Sequence, residues 1–153
     1  MIKITRILFP TDFSQNASVA LAYACALAEQ NNAELHVLHA IDVGRLAHIS
    51  EFVPMPDADF ESIYAAAKQS LADVVDREWA EKHKVVHTIG KGPPFLEILR
   101  HAKERSIDLI VMSTHGRTGL SHLLIGSVAE NVVRKAPCPV LTVHPADHTF
   151  VMP

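Results

Sequence analysis

Hydrophobic and polar positions along this chain alternate between two rhythms. Short apolar runs rich in Val, Ile and Leu occur at Ile4 to Phe9, Glu34 to Ile41, Val85 to Ile89, Leu109 to Met112 and Val140 to Val143. Each is too short for a stable helix and stops at turn-forming or polar residues, so each reads as a strand. The segments between them carry apolar residues at helical spacing. Ser14 offers an N-cap for a helix over Ala17 to Gln30, and Asn31-Asn32 supplies the turn after it. From Phe60 to Lys82, Ile63, Ala67, Leu71, Val74 and Trp79 recur near helical spacing, with Glu61, Lys68, Asp73, Asp76 and Lys82 between them. This predicts one long amphipathic helix. After the break at Gly90-Lys91-Gly92-Pro93-Pro94, the residues Phe95, Ile98, Leu99 and Ala102 stripe a third helix. A fourth runs from Ser127 to Lys135, where Pro137 and Pro139 stop it. Val43 to Asp57 reads as an irregular connection, and the tail after His144 has no period.

Strands alternating with helices through short polar links imply right-handed crossovers and a parallel sheet covered on both faces, a doubly wound α/β sandwich. Ligands of such sheets bind beyond the carboxyl ends of the strands, where strand order reverses. Pro10-Thr11-Asp12 leaves the first strand and Ser113 to Gly119 leaves the fourth. If those strands are neighbours, Asp12 and the glycine loop face one cleft, with Ala40 to Asp42 as its far wall.

Composition narrows the classes. The 153 residues are 48% hydrophobic and 20% charged, enough to bury the core of one ordinary domain. The expectation is a single domain over residues 1–153, with a core from about residue 3 to 145 and a tail from 146 to 153. A formal charge of -3 without a basic run argues against nucleic acid and anionic membranes as partners. Cys25 and Cys138 make neither a CxxC pair nor a disulfide framework, fit a reducing compartment, and read as small buried apolar residues. His36 and His39 would point to opposite faces of a strand and His83 and His87 straddle a helix end, so no metal ligand set is expected. Lys3, Arg6 and the Ala-rich run from Ala17 to Ala28 mimic a secretion signal, but the polar, acidic break from Pro10 to Asn16 divides them. The expected address is the cytoplasm.

The chemistry concentrates between the last two strands. Gly116 and Gly119 free the backbone of the loop, and Gly126-Ser127 opens the helix that follows. Backbone amides at a helix start lack helical partners and carry about half a positive charge, so they attract anions such as phosphate. The chain has no G-x-x-x-x-G-K-[ST] and hence no Walker lysine, and no G-x-G-x-x-G between a strand and a helix. What it has is Ser113-x-x-Gly116, nine residues, then Gly126-Ser127.

That pattern resembles the universal stress protein family, whose nucleotide-binding members carry G-x-x-G, nine residues, G-[ST] after the fourth strand. The resemblance extends over nearly the whole chain, through ILFPTDFS at Ile7 to Ser14, LHAID at Leu38 to Asp42 and MSTHGRTGLSHLLIGSVAENVVRKAPCPVLTV at Met112 to Val143. It implies a five-stranded parallel sheet of order 3-2-1-4-5 and a homodimer made by pairing the last strands, through Val140, Leu141 and Val143. It also implies ATP or another adenine nucleotide as ligand. Pro10, Thr11 and Asp12 would flank ribose or base, the backbone near Ala40 would contact adenine, and Gly116, Gly126, Ser127 and Val128 would hold phosphates. Met112, Ser113, His115, Arg117 and Gly119 complete the candidate set from the same loop. The Asp12 carboxylate can accept from ribose hydroxyls or hold Mg²⁺ through water. The chain departs from the family pattern at Ser113, where nucleotide-binding members often have glycine.

Each residue also has a plainer reading. The glycines can simply end a strand and start a helix, Asp12 can be a helix-start carboxylate, and Trp79 is expected to pack rather than stack on a ligand. No catalytic residue is expected. Three functions stay open: a nucleotide-binding regulatory protein with at most slow ATP hydrolysis, a homodimeric interaction module with an empty or anion-filled cleft, and an enzyme of related adenylate-handling folds. The third lacks the H-x-G-H and S-G-G-x-D-S phosphate motifs it would need.

Overall fold

The computed structural model describes residues 1–44, 57–115 and 125–144, the side chains of residues 57–59 excepted. The readings made on Gly116, Arg117, Gly119, most of the Val43 to Asp57 connection and the tail lie outside the described residues.

Five strands are seen, β1 (Arg6–Pro10), β2 (Glu34–Ile41), β3 (Val85–Lys91), β4 (Leu109–Ser113) and β5 (Val140–Val143). All neighbouring pairs are parallel, in the order β3-β2-β1-β4-β5. The α/β class and the strand order are as expected. β1 begins two residues later than its apolar run. Asp108 accepts from the Thr5 and Arg6 amides at 2.7 and 3.0 Å and so holds the chain just before the ladder begins.

Helix α1 (Gln15–Asn31) starts at Ser14, whose Oγ accepts from the Ala17 amide at 3.2 Å, and ends at Asn32 in a left-handed conformation with φ 50. Its buried face is Ala17, Ala20, Ala24 and Ala28, which lets the helix lie close on the sheet over Ile7, Phe9 and Val111. The long helix expected from Phe60 to Lys82 is instead two, α2 (Asp57–Ala72) and α3 (Arg77–Lys82). The break has a physical cause. Asp76 accepts from the Trp79 amide at 3.0 Å and so caps a new helix, while Leu71 and Val75 both stay buried in the core. Helices α4 (Pro94–Glu104) and α5 (Ser127–Lys135) follow the expected pattern.

The sheet separates two apolar layers. Ile7, Phe9, Leu35, Val37 and Val111 face α1, Leu71 and Val75. Leu8, Leu38, Ile110 and Met112 face Ile98 and Ala102 of α4 and Ala129 and Val132 of α5. The N-termini of α4 and α5 therefore lie on one face, each at the end of the sheet where the preceding strand finishes. No helix among the described residues is long and apolar enough to cross a membrane.

Candidate functional site

Strand order reverses between β1, which continues to β2, and β4, which continues to β5. The crevice beyond their carboxyl ends is where an open α/β sheet can admit a ligand. On the β1 side, Thr11 extends the ladder by donating its amide to the Leu38 carbonyl at 2.9 Å. The chain then makes two consecutive side-chain turns. The Phe13 amide donates to Thr11 Oγ1 at 3.0 Å and the Ser14 amide to Asp12 Oδ1 at 3.0 Å. They carry Phe13 through a left-handed backbone with φ 64, an unusual state for a residue with a side chain. Its ring sits 4.3 Å from that of His39, whose Nδ1–H donates to the Thr11 carbonyl at 2.8 Å. The corner is thus held from β2.

On the β4 side, Ser113 ends the strand opposite Val143 and its Oγ accepts from the His115 amide at 3.3 Å. Thr114 is buried, donates its amide to the Val143 carbonyl at 3.0 Å, and accepts at its own carbonyl from the Gly126 amide at 2.7 Å. Its hydroxyl lies 2.9 Å from His115 Nδ1. Gly126 is the N-cap of α5 and makes no side-chain cap. The first helical bond runs from the Glu130 amide to the Gly126 carbonyl at 2.9 Å. The amides of Ser127, Val128 and Ala129 therefore have no acceptor within the helix. They form the anion-attracting end of a nine-residue helix, and Ser127 beside them is exposed.

The structure brings Pro10, Thr11, Asp12, Ser113, His115, Gly126, Ser127 and Val128 to the carboxyl edge of adjoining strands, with Ala40 one strand further along, opposite Gly90. Three details of geometry bear on this set. Met112 buries its side chain under α4 and α5, so only its backbone is near the crevice. The Thr11 hydroxyl is engaged in its own turn. Gly126 has φ −58, a conformation open to any residue, so its glycine is not needed for the backbone bend.

Away from the crevice, Cys25 and Cys138 are free and half-buried rather than buried, and burial, with Glu29 adding to it, pushes the Cys25 thiol up to about 11. Trp79 packs against the α1 layer and stacks on His83 at 4.0 Å. Among the described residues no group of three or more His, Cys, Asp or Glu is arranged to hold a metal. Sequence reasoning did not find the coupling of His36 to His101. The available signal was His101 falling on the apolar stripe of α4 beside Ala102.

Residues 3–144 match the family model of the universal stress proteins. Universal stress protein MJ0531 of Methanocaldococcus jannaschii is 36% identical over 146 residues, covering 90% of this chain and 81% of the relative. Universal stress protein YxiE of Bacillus subtilis is 34% identical over 147 residues, covering 90% and 97%. Among solved structures, protein MJ0577 superposes with a TM-score of 0.83 at 32% identity, covering 96% of this chain and all of the other. A universal stress protein in complex with cAMP superposes with a TM-score of 0.65 at 25% identity, covering 93% and 98%. The strand order fits this match, and the chain belongs to the universal stress protein family.

Proposed function

We propose that this chain is a regulatory stress protein that binds an adenine nucleotide, ATP by preference, in the crevice between β1 and β4. The observation that carries the reading is the N-terminus of α5. Three successive amides, at Ser127, Val128 and Ala129, lack helical acceptors beside the switch point of the sheet, and the Gly126 to Thr114 bond fixes their position. Phosphates accept from these amides and from the Ser127 hydroxyl. Ribose hydroxyls donate to Asp12, whose Oδ1 also accepts from Ser14 and thereby orients the carboxylate. Adenine lies toward Ala40, Gly116 is a further candidate to hold phosphate, and Asp12 would hold Mg²⁺ through water where the ion accompanies the nucleotide. A family member with bound cAMP supports the ligand class. The sequence holds no Walker lysine and no evident general base, so hydrolysis is at most slow. We propose the cytoplasm as its address and one domain over residues 1–153 as its organisation. Mass spectrometry of ligand released from freshly purified protein, followed by calorimetry with ATP and Mg²⁺, tests this reading; an empty protein that takes up no nucleotide overturns it.

A second reading, a homodimeric interaction module, is favoured by one observation. β5 is an edge strand, and Leu141 on it is 37% exposed, with Val133 and Ile125 also exposed on or just before α5. An apolar edge of this kind, unpaired among the described residues, is hidden by pairing with a second copy. The two readings are compatible, since the edge and the crevice use different atoms.

A further inference from the structure

Two histidines meet inside the fold, away from the crevice. His36 on β2 is 3% exposed and His101 on α4 is 7% exposed, and His36 Nδ1 lies 3.0 Å from His101 Nε2. The other ring nitrogen of His36 lies 2.8 Å from Glu34 Oε1. A carboxylate only accepts, so His36 Nε2 carries a hydrogen. A neutral imidazole has just one, which leaves Nδ1 as an acceptor and makes His101 Nε2–H the donor. At neutral pH the hydrogen bonds run one way, from His101 to His36 to Glu34. They fasten α4 to β2 beside the apolar contacts of Ile98 and Ala102 with Leu8 and Leu38.

We propose that Glu34, His36 and His101 form a two-stage proton latch between β2 and α4. One proton taken from water reverses the inter-histidine bond. His36 becomes an imidazolium that donates to Glu34 through Nε2 and to His101 through Nδ1, while His101 moves its own hydrogen to Nδ1. The pair stays joined because Glu34 balances the new charge. A second proton enters at His101 Nε2 and removes the last acceptor. Two N–H groups and two positive charges then face each other, and α4 must part from β2. Parting uncovers the apolar side of α4 and the sheet beneath it, so acid converts a closed surface into an open one.

The surroundings sharpen the second step. Arg6 on β1 and Arg105 at the end of α4 add positive charge near the pair. Asp108 accepts from Thr5 and Arg6, and Glu97, one turn before His101, is paired to Arg100. β3 presents Val86 opposite His36. Glu34 is thus the carboxylate that serves the histidines among the described residues. Burial, with His36 and Arg105 adding to it, pushes His101 down to about 4. Burial also lowers His36, against the pull of Glu34. The folded state therefore binds fewer protons than the unfolded chain. Stability is intact above the unfolded value of 6.5 and falls as pH drops toward about 4.

The test is a pH series from 8 to 4 on the full chain, reading histidine ring nitrogens by NMR and amide exchange along α4. Wild type should show His101 protonated at Nε2 at neutral pH, a shift of that proton to Nδ1 in the first step, and then α4 protection, taken relative to the intrinsic exchange rate at each pH, that falls by about tenfold per pH unit for each proton bound on opening. His101→Gln keeps a donor toward His36 but cannot titrate, so its α4 exchange should lack the second, steeper stage. Equal loss of α4 protection in both proteins, or two histidines titrating independently without tautomer exchange, overturns the latch. If His101→Gln does not fold, the wild-type ring signals decide alone.

Discussion

The Gly126 amide donates to the Thr114 carbonyl at 2.7 Å, so the end of β4 and the start of α5 are joined across the loop they enclose. This bond assigns work to particular amides. Gly126 N–H is already used, and an anion at α5 must be held by Ser127, Val128 and Ala129 instead. It also makes the direction of α5 depend on β4, because Thr114 is in turn tied to Val143 of β5 at 3.0 Å.

Gly126→Pro isolates that bond. Gly126 has φ −58, within the range a proline ring imposes, so the variant removes the N–H while matching the φ already present. The Thr114 carbonyl, on a residue 1% exposed, loses its partner. The expected cost is about 1 to 3 kcal/mol, read as a lower urea midpoint at unchanged m-value, whereas Gly126→Ala should stay within about 1 kcal/mol of the parent. A proline variant as stable as the parent would mean that the bond contributes nothing to folding.

Ser127→Ala addresses binding rather than folding. The side chain is exposed and Gly126, not Ser127, is the N-cap, so the thermal midpoint should be nearly unchanged. Loss of one charge-assisted hydrogen bond to phosphate should weaken ATP by about 1.5 to 3 kcal/mol, roughly ten- to a hundredfold in Kd. Calorimetry showing parent-like affinity would place the phosphates elsewhere.

What could be read from the sequence follows from how local each signal is. β2, α5 and β5 were bounded to the residue because turn residues, prolines and apolar runs are properties of neighbouring positions. The break between α2 and α3 was missed because helical spacing of Val74 and Trp79 masked a competing local signal, the Asp76 cap three residues before Trp79. The positions of Thr11 and Asp12 at the crevice were legible, but their turns onto Phe13 and Ser14 were not, since both depend on a left-handed Phe13 braced by His39 from another strand. His36 and His101 are 65 residues apart, and nothing in the sequence states that β2 and α4 will press them together.

Leu141→Glu should convert a dimer to monomer. The residue is 37% exposed on an edge strand, so a charge there costs the isolated fold little, whereas its burial against a second copy would leave an unpaired carboxylate. Sedimentation velocity at micromolar concentration should show the parent as dimer and the variant as monomer with an unchanged circular dichroism spectrum. A parent that sediments only as monomer removes the basis for pairing through β5.

Gly90 has a steric role that is open to a double-mutant cycle. A β-carbon there would lie 2.5 Å from Glu97 Oε2, 2.9 Å from its Cγ and 3.0 Å from its Cβ. Glu97 is buried and paired to Arg100, so it has little room to move. Gly90→Ala should cost about 1 to 3 kcal/mol through overpacking. Combined with Glu97→Ala, which removes the two closest atoms, the cost should be smaller than the sum of the single changes. Strict additivity in urea titrations would show that the glycine is not there to admit the glutamate.

Ser113 stands where the sequence reading expects glycine in nucleotide-binding members. Its Oγ accepts from the His115 amide at 3.3 Å, so the side chain is turned back along its own loop rather than extended across the crevice. A hydroxyl so placed keeps its hydrogen for donation, and the serine carries a β-carbon that a glycine would lack. Ser113→Gly removes both together with the local turn that orders His115. If the β-carbon crowds the sugar, relief should tighten ATP by about 1 to 3 kcal/mol, up to roughly a hundredfold. The turn argues for a smaller gain, because the glycine variant must order the loop before it can bind. The expected outcome in calorimetry with ATP and Mg²⁺ is therefore micromolar binding by the parent and tightening of about tenfold or less in Ser113→Gly. Weaker binding by the variant would reassign the serine as a ligand-holding residue, and heat from neither protein would leave the interaction module as the function of the fold.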